Sequence, residues 1–125
     1  MRFDLEQRPG YLYAGLQGEF DLASAQVNLR EFLEAAARLG CPRLLLDSTR
    51  LQGSMTMEER MQFGVFLAQE FSRLAGRFEE LPRIAILAAP PIMDPGRFTQ
   101  TVANNRGARM RASDSLHELL SWLEV

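Results

Sequence analysis

Lysine is absent from this chain: its fourteen basic residues are all arginine, scattered from Arg2 to Arg111. Against sixteen acidic residues they leave a net charge of -2, so no overall field draws the protein to nucleic acid or an anionic membrane. Cysteine is nearly absent too. Cys41 stands alone, which excludes an intramolecular disulfide and a zinc knuckle. Pro42 follows it and no general base is evident nearby, so it is not expected to act as a nucleophile. His117 is the single histidine; without a second His or Cys at ligand spacing it reads as a surface residue, and no metal site is expected. No apolar run approaches membrane-spanning length, and the opening MRFDLEQRPG lacks the apolar stretch of a secretion signal. A cytoplasmic address is the expectation. No repeat, low-complexity tract or linker appears, so residues 1–125 are expected to form one domain with a single core. Phosphate loops, dinucleotide fingerprints and nucleophile elbows are missing, the GSM at Gly53 included. Neither a cofactor nor an enzymatic activity is expected.

What the chain has is an ordinary globular balance, 46% apolar and 24% charged, with a clear alternation of patterns. Phe3, Leu5 and Gln7 alternate with Asp4 and Glu6, Pro9-Gly10 turns the chain, and Tyr11 to Leu16 reads as a second strand ending at Gly18. These two strands are expected to pair as a hairpin. Asp21 suits the N-cap of a long helix whose inner face holds Leu22, Ala25, Leu29, Phe32, Leu33 and Ala36, with Gly40 as its stop. Leu44-Leu45-Leu46 is apolar without alternation, as a strand buried on both faces requires. Thr56 and Glu59 stand at capping-box spacing before a helix running to about Ala75 or Gly76. Arg83 to Ala89 is the next buried strand. Asp94-Pro95 marks a helix start, with the helix continuing to Asn105. Ala108 to Ala112 has outward arginines that suit an edge strand. Ser113 or Asp114 then caps a last helix bearing Leu116, Leu119, Leu120 and Leu123. The order ββαβαβαβα predicts an α/β domain with a mixed, mostly parallel sheet packed against helices.

This order, with the phrases LLLDSTRLQG after the central strand, DPGRFTQTVANNRG in the third helix and DSLHELLSWL at the end, resembles the STAS family of SpoIIAA-like, anti-anti-sigma proteins over essentially the whole chain. The resemblance implies a bacterial, non-catalytic regulatory or protein-interaction domain whose partner is a kinase or regulator. It also implies a phosphoacceptor at the start of the helix after the central strand. That position is Thr56, with Ser54 close by. The flanks differ from the family pattern: Met55 stands where it has Asp, and Met57-Glu58 where it has Ser/Thr and Gly. Asp47-Ser48-Thr49 resembles the motif but falls at the strand end.

Several residues invite a functional reading beside a plain one. Thr56 is either a phosphoacceptor at a helix N-terminus, where a dianion is welcome, or simply a cap. Arg60 is expected to reach back to Asp47 and pair with it, in a structural more than a catalytic role. Winding the same helix places Met57, Met61, Gly64, Val65, Ala68 and Phe71 on its inner face and leaves Phe66 outside with Phe63 at the margin. Phe63 and Phe66 then form a candidate interface for self-association or a partner. Open α/β sheets gather ligands beyond the carboxyl ends of their parallel strands, where Asp47, Ser48, Ser54, Arg60 and Asp94 would converge. Met55, Met57, Ile92 and Met93 around that cleft make a small hydrophobic ligand, carried or sensed, the alternative function. The other reading of this loop is that Pro90-Pro91 only stiffens a crossover.

Overall fold

In a computed structural model that describes all 125 residues, the elements follow the expected order: β1 (Arg2–Arg8), β2 (Tyr11–Glu19), α1 (Leu22–Leu39), β3 (Arg43–Gln52), α2 (Met57–Arg73), β4 (Arg83–Leu87), α3 (Phe98–Asn105), β5 (Met110–Ser113) and α4 (Leu116–Leu123). They build one five-stranded sheet in the order β1-β2-β3-β4-β5. β1 and β2 form the antiparallel hairpin; every later neighbour is parallel, with Leu44 beside Ile84 and Leu46 beside Ile86. No helix is long and apolar enough to cross a membrane.

The two faces of the sheet are covered unequally. Leu12, Ala14, Leu16, Leu44, Leu46, Ile84, Ile86, Met110 and Ala112 face one way and make the main core with Leu29, Phe32 and Leu33 of α1 and Phe63, Leu67 and Phe71 of α2. Leu45 and Ala85 face the other way, under Leu119 and Leu123 of α4. That division explains the unbroken leucine triplet, because only a strand with helices on both sides must be apolar at consecutive positions. α4 reaches β3, β4 and β5, with Tyr11 and Tyr13 of β2 packed at its margin, and leaves the rest of the β1–β2 half of its face open.

Strands β2 and β3 run further than their apolar stretches, because a ladder of backbone hydrogen bonds needs no apolar side chain to continue. Where Gly15 pairs with Asp47 and Gln17 with Arg50, β3 holds one residue more than β2, a bulge. The Asp47 carboxylate stabilises it, accepting from the amide and hydroxyl of Thr49 at 2.9 and 2.6 Å.

The caps agree with expectation at α1 and α2 and differ at the later helices. Asp21 accepts from the Ser24 amide at 3.0 Å, and Gly40 ends α1 with φ of 65°. Thr56 and Glu59 form both halves of the capping box. α3, however, begins at Phe98 rather than after Asp94: Pro95-Gly96 makes a turn, and the Asp94 carboxylate accepts from the Phe98 amide at 3.1 Å. α4 is capped by Ser115, one or two residues later than expected, because Ser113 is still in β5, its side chain fully enclosed and donating to Glu118.

The face of α2 is rotated from its expected setting. Its enclosed residues are Arg60, Phe63, Gly64, Leu67, Ala68, Glu70 and Phe71, while Met57 and Met61 lie outside at 62% and 39% exposure. Two polar residues hid this stripe. Glu70, its side chain only 3% exposed, accepts two hydrogen bonds from Arg30 of α1 and two from Arg73. Arg73 and Arg77 also donate to Glu34, which joins α1 to α2 along their length. Gly64 faces α3 so closely that a Cβ there would lie 2.8 Å from Val102 Cγ1 and 3.0 Å from the Thr99 carbonyl oxygen.

Two outcomes follow from this packing. Gly64→Ala should lower stability by about 1 kcal/mol, and the melting temperature by about 4 °C, because overpacking costs roughly 1–3 kcal/mol and helix propensity returns at most about 1. Val102→Ala in that background should recover part of the loss, read as favourable coupling in a double-mutant cycle. Burial pushes the Glu70 carboxyl up, but the Arg73 and Arg30 guanidiniums outweigh it and hold the group below its ordinary value. A carboxyl depressed in the folded state contributes stability above its unfolded value of about 4.3, and that contribution disappears as pH falls through the folded value. Glu70→Gln should therefore flatten the acid side of a stability-versus-pH curve measured by urea unfolding.

Candidate functional site

The residues expected to converge beyond the strand ends do so in part. Ser48, Arg60 and Asp94 line one cavity, together with Met55, Phe63, Ile92 and Met93. It lies on the helix-covered face, at the carboxyl ends of β3 and β4. Its volume is about 60 Å³, against roughly 300–1,000 Å³ for pockets that enclose drug-sized ligands. A space of that size takes a few waters or one apolar side chain. Met57, expected at its rim, points to solvent.

Arg60 is enclosed because the loop after β4 needs it. Pro91 and Ile92 leave their carbonyls outside helix and sheet, and buried carbonyls require partners. The guanidinium supplies them: Nη1 donates to Ile92 at 2.6 Å and Nη2 to Pro91 at 2.9 Å. Asp94 lies 3.5 Å from Nη1, and Thr99 donates to the Arg60 carbonyl at 3.4 Å. One side chain thus fixes the loop, and the start of α3, against α2.

The expected Asp47–Arg60 pair does not form. Side chains alternate across a strand, and Leu44, Leu46 and Ser48 point toward the helices, so Asp47 points to the opposite, open face. There it accepts from the Tyr13 hydroxyl at 2.8 Å. Burial pushes the Asp47 carboxyl up, yet the Thr49 hydroxyl and amide and the Tyr13 phenol leave it below its usual value. Burial and the same carboxylate raise the Tyr13 phenol. The Arg8 guanidinium stacks 3.7 Å over the Tyr13 ring, and Asp4, Glu6, Gln17 and Arg50 complete a polar surface around them. Strand parity was legible in the sequence; which parity faced the helices was not.

The expected Phe63–Phe66 interface is likewise corrected. Phe63 is buried in the main core, and Phe66 is half-buried under Arg30, whose guanidinium lies 5.6 Å from the ring. The exposed apolar pair of α2 is instead Met57 and Met61, one helical turn apart. Beside them at the helix entry are Ser54 and Thr56, both exposed. Thr56 Oγ1 accepts from the Glu59 amide at 3.1 Å, and Glu59 accepts from the Thr56 amide at 2.9 Å.

His117 is exposed and Cys41 half-buried, its thiol donating to the Arg43 carbonyl at 3.4 Å. No three His, Cys, Asp or Glu side chains are gathered to hold a metal ion. Arg60→Ala should cost about 1–3 kcal/mol by thermal or urea unfolding, since it strands the buried Ile92 carbonyl and the partly buried Pro91 one. Arg60→Lys should restore only part of that, because a single ammonium cannot reproduce the planar fork.

No protein-family model matches the chain, and no curated protein sequence does either. Solved structures do. An anti-sigma factor antagonist from Mycobacterium paratuberculosis superposes with a TM-score of 0.62 at 14% identity, over 99% of this chain and 94% of that one. The anti-sigma factor antagonist SpoIIAA in its unphosphorylated form gives 0.52 at 18% identity, over 98% of each chain. The β-β-α-β-α-β-α-β-α arrangement is therefore the SpoIIAA-like, STAS fold, as the sequence resemblance implied.

Proposed function

We propose that this protein is a non-catalytic regulatory domain of the bacterial cytoplasm, which works by binding a protein of the anti-sigma or regulatory-kinase type at the entry of α2. The observation behind this reading is the pair Met57 and Met61, exposed side by side on α2 and useless to the core. Methionine adapts to irregular partner surfaces and is enriched at interfaces. Both residues adjoin the hydroxyls of Ser54 and Thr56, where the family resemblance puts its phosphoacceptor. The two structural neighbours, anti-sigma factor antagonists by description, support a partner of that class.

Of the two hydroxyls, Ser54 is the freer. The Thr56 oxygen is engaged by the capping box, and a phosphate on it would meet Glu58 and Glu59 of the same turn. A phosphate on Ser54 would add a dianion next to the methionine pair and weaken an apolar contact there by desolvation cost.

The test is co-purification of tagged protein from its own cells, compared with Met57→Glu/Met61→Glu. A protein partner should be retained by the parent and reduced at least tenfold by the variant, with an unchanged melting temperature because both side chains lie outside the core. Intact mass of the free protein should show a phosphate absent from Ser54→Ala. A partner bound equally by both proteins, or a retained small molecule in its place, would defeat the reading.

A further inference from the structure

The two edges of the sheet are treated differently. β5 is closed by the α3 region. Asn104 accepts from the Met110 amide and donates to its carbonyl, both at 2.9 Å. Gln100 accepts from the Ala112 amide at 2.8 Å, and Arg97 donates to the Ala112 carbonyl at 2.9 Å. Side chains thus stand in for the missing next strand, and no further strand can pair there.

β1 has no such cover. Pro9 and Gly10 form a two-residue turn, so the hairpin closes on a hydrogen-bonded Arg8–Tyr11 pair. Counting back in alternation, Glu6, Asp4 and Arg2 turn their backbone groups toward β2, while Gln7, Leu5 and Phe3 turn theirs away. No loop or cap backbone group and no side chain of the protein meets those outward groups. Leu5 is left 45% exposed on this edge, although its side chain is on the face that elsewhere builds the core.

We propose that β1 is a self-pairing edge: two copies of this chain set their β1 strands antiparallel about a two-fold axis at Asp4, making one continuous sheet. Hydrogen bonding requires an outward-turned residue opposite another outward-turned residue, which leaves few registers, and centring on Phe3 or Gln7 aligns only three residues of each strand and puts Leu5 opposite Met1 or Pro9. Centring on Leu5 sets Arg2 against Arg8 and Asp4 against Glu6, all like charges. Centring on Glu6 pairs Asp4 with Arg8 but sets Glu6 against itself and leaves Phe3 without a strand partner, opposite the turn. Centring on Asp4 sets Arg2 opposite Glu6 of the second copy twice, and Phe3 opposite Leu5 twice. Only Asp4 then meets its like. This register satisfies the outward groups of Phe3 and Leu5, sets Gln7 opposite Met1 just before the strand, covers Leu5 and matches opposite charges. A contact of one short strand belongs to the weak, transient class, so protein concentration governs it. None of the α2 residues takes part, and the pairing stands or falls apart from the proposed function.

Sedimentation velocity over a concentration series tests the pairing. The parent should shift from monomer to dimer with concentration. Arg2→Glu should raise the dissociation constant roughly tenfold, by turning two attractions into repulsions, and Arg2→Glu/Glu6→Arg should restore it. Asp4→Asn should tighten the dimer several-fold. Leu5→Pro, which removes an outward amide and no β2 bond, should abolish it while the circular dichroism melt shows the domain folded. A parent that stays monomeric throughout overturns the proposal. So does any other combination of directions for Arg2→Glu and Asp4→Asn, which would belong to another register. Loss of the dimer on Met57→Glu, with the β1 variants unaffected, would move self-association to α2 and overturn it as well.

Discussion

Leu44, Leu45 and Leu46 are all enclosed because two helical layers of unequal size meet on the same strand. Much else in the molecule follows from that inequality. Three helices cover most of one face, whereas α4, eight residues long, covers β3 to β5 on the other and reaches no further than Tyr11 and Tyr13 of β2. Where both layers cover a strand, consecutive positions are apolar, as at Leu44–Leu46 and Ile84–Ile86; beyond α4 the strands are polar on one side. β1 and β2 obey this, presenting Asp4, Glu6, Arg8, Tyr13 and Gln17 to the open half of the sheet. The chain therefore has a saturated centre, one sealed edge and one polar flank.

Within the covered side, polar residues do the positioning that apolar packing cannot. Carbonyls in the loop after β4 have no ladder or helix to join, so Arg60 must be buried to meet them. Glu70 is buried for the reciprocal reason, as the acceptor around which Arg30 and Arg73 fasten α1 to α2. Both groups are fully partnered, which is the condition for tolerating charge inside a protein. Arg60 and Glu70 are thus occupied structurally, and Asp47 stands on the opposite face with Tyr13, apart from Ser48 and Asp94 at the small cavity.

Two surfaces stand apart from the core, the entry of α2 and the edge of β1. Each shows apolar side chains that the monomer does not use, Met57 and Met61 on one and Leu5 on the other. They lie on different elements, so a protein partner on α2 and a second copy along β1 would not compete for the same residues.

Element order, the hairpin, the two-sided burial of β3 and the capping of α1 and α2 were legible along the chain, because periodicity, turn residues and caps act over a few neighbouring positions. The rotation of α2 was not. Arg60 and Glu70 look like solvent residues until their partners, Pro91 and Ile92 in one case and Arg30 in the other, arrive from distant segments. The start of α3 depended on how Asp94 and Pro95-Gly96 share a turn, and the sealing of β5 on Gln100 and Asn104 meeting strand residues across space. Likewise, alternation told which residues of β3 share a side with Asp47, but only the three-dimensional packing decided which side the helices would take. Local order is written in nearest-neighbour sterics and hydrogen bonding. The fate of a charged side chain is decided by whichever remote backbone groups lack a partner.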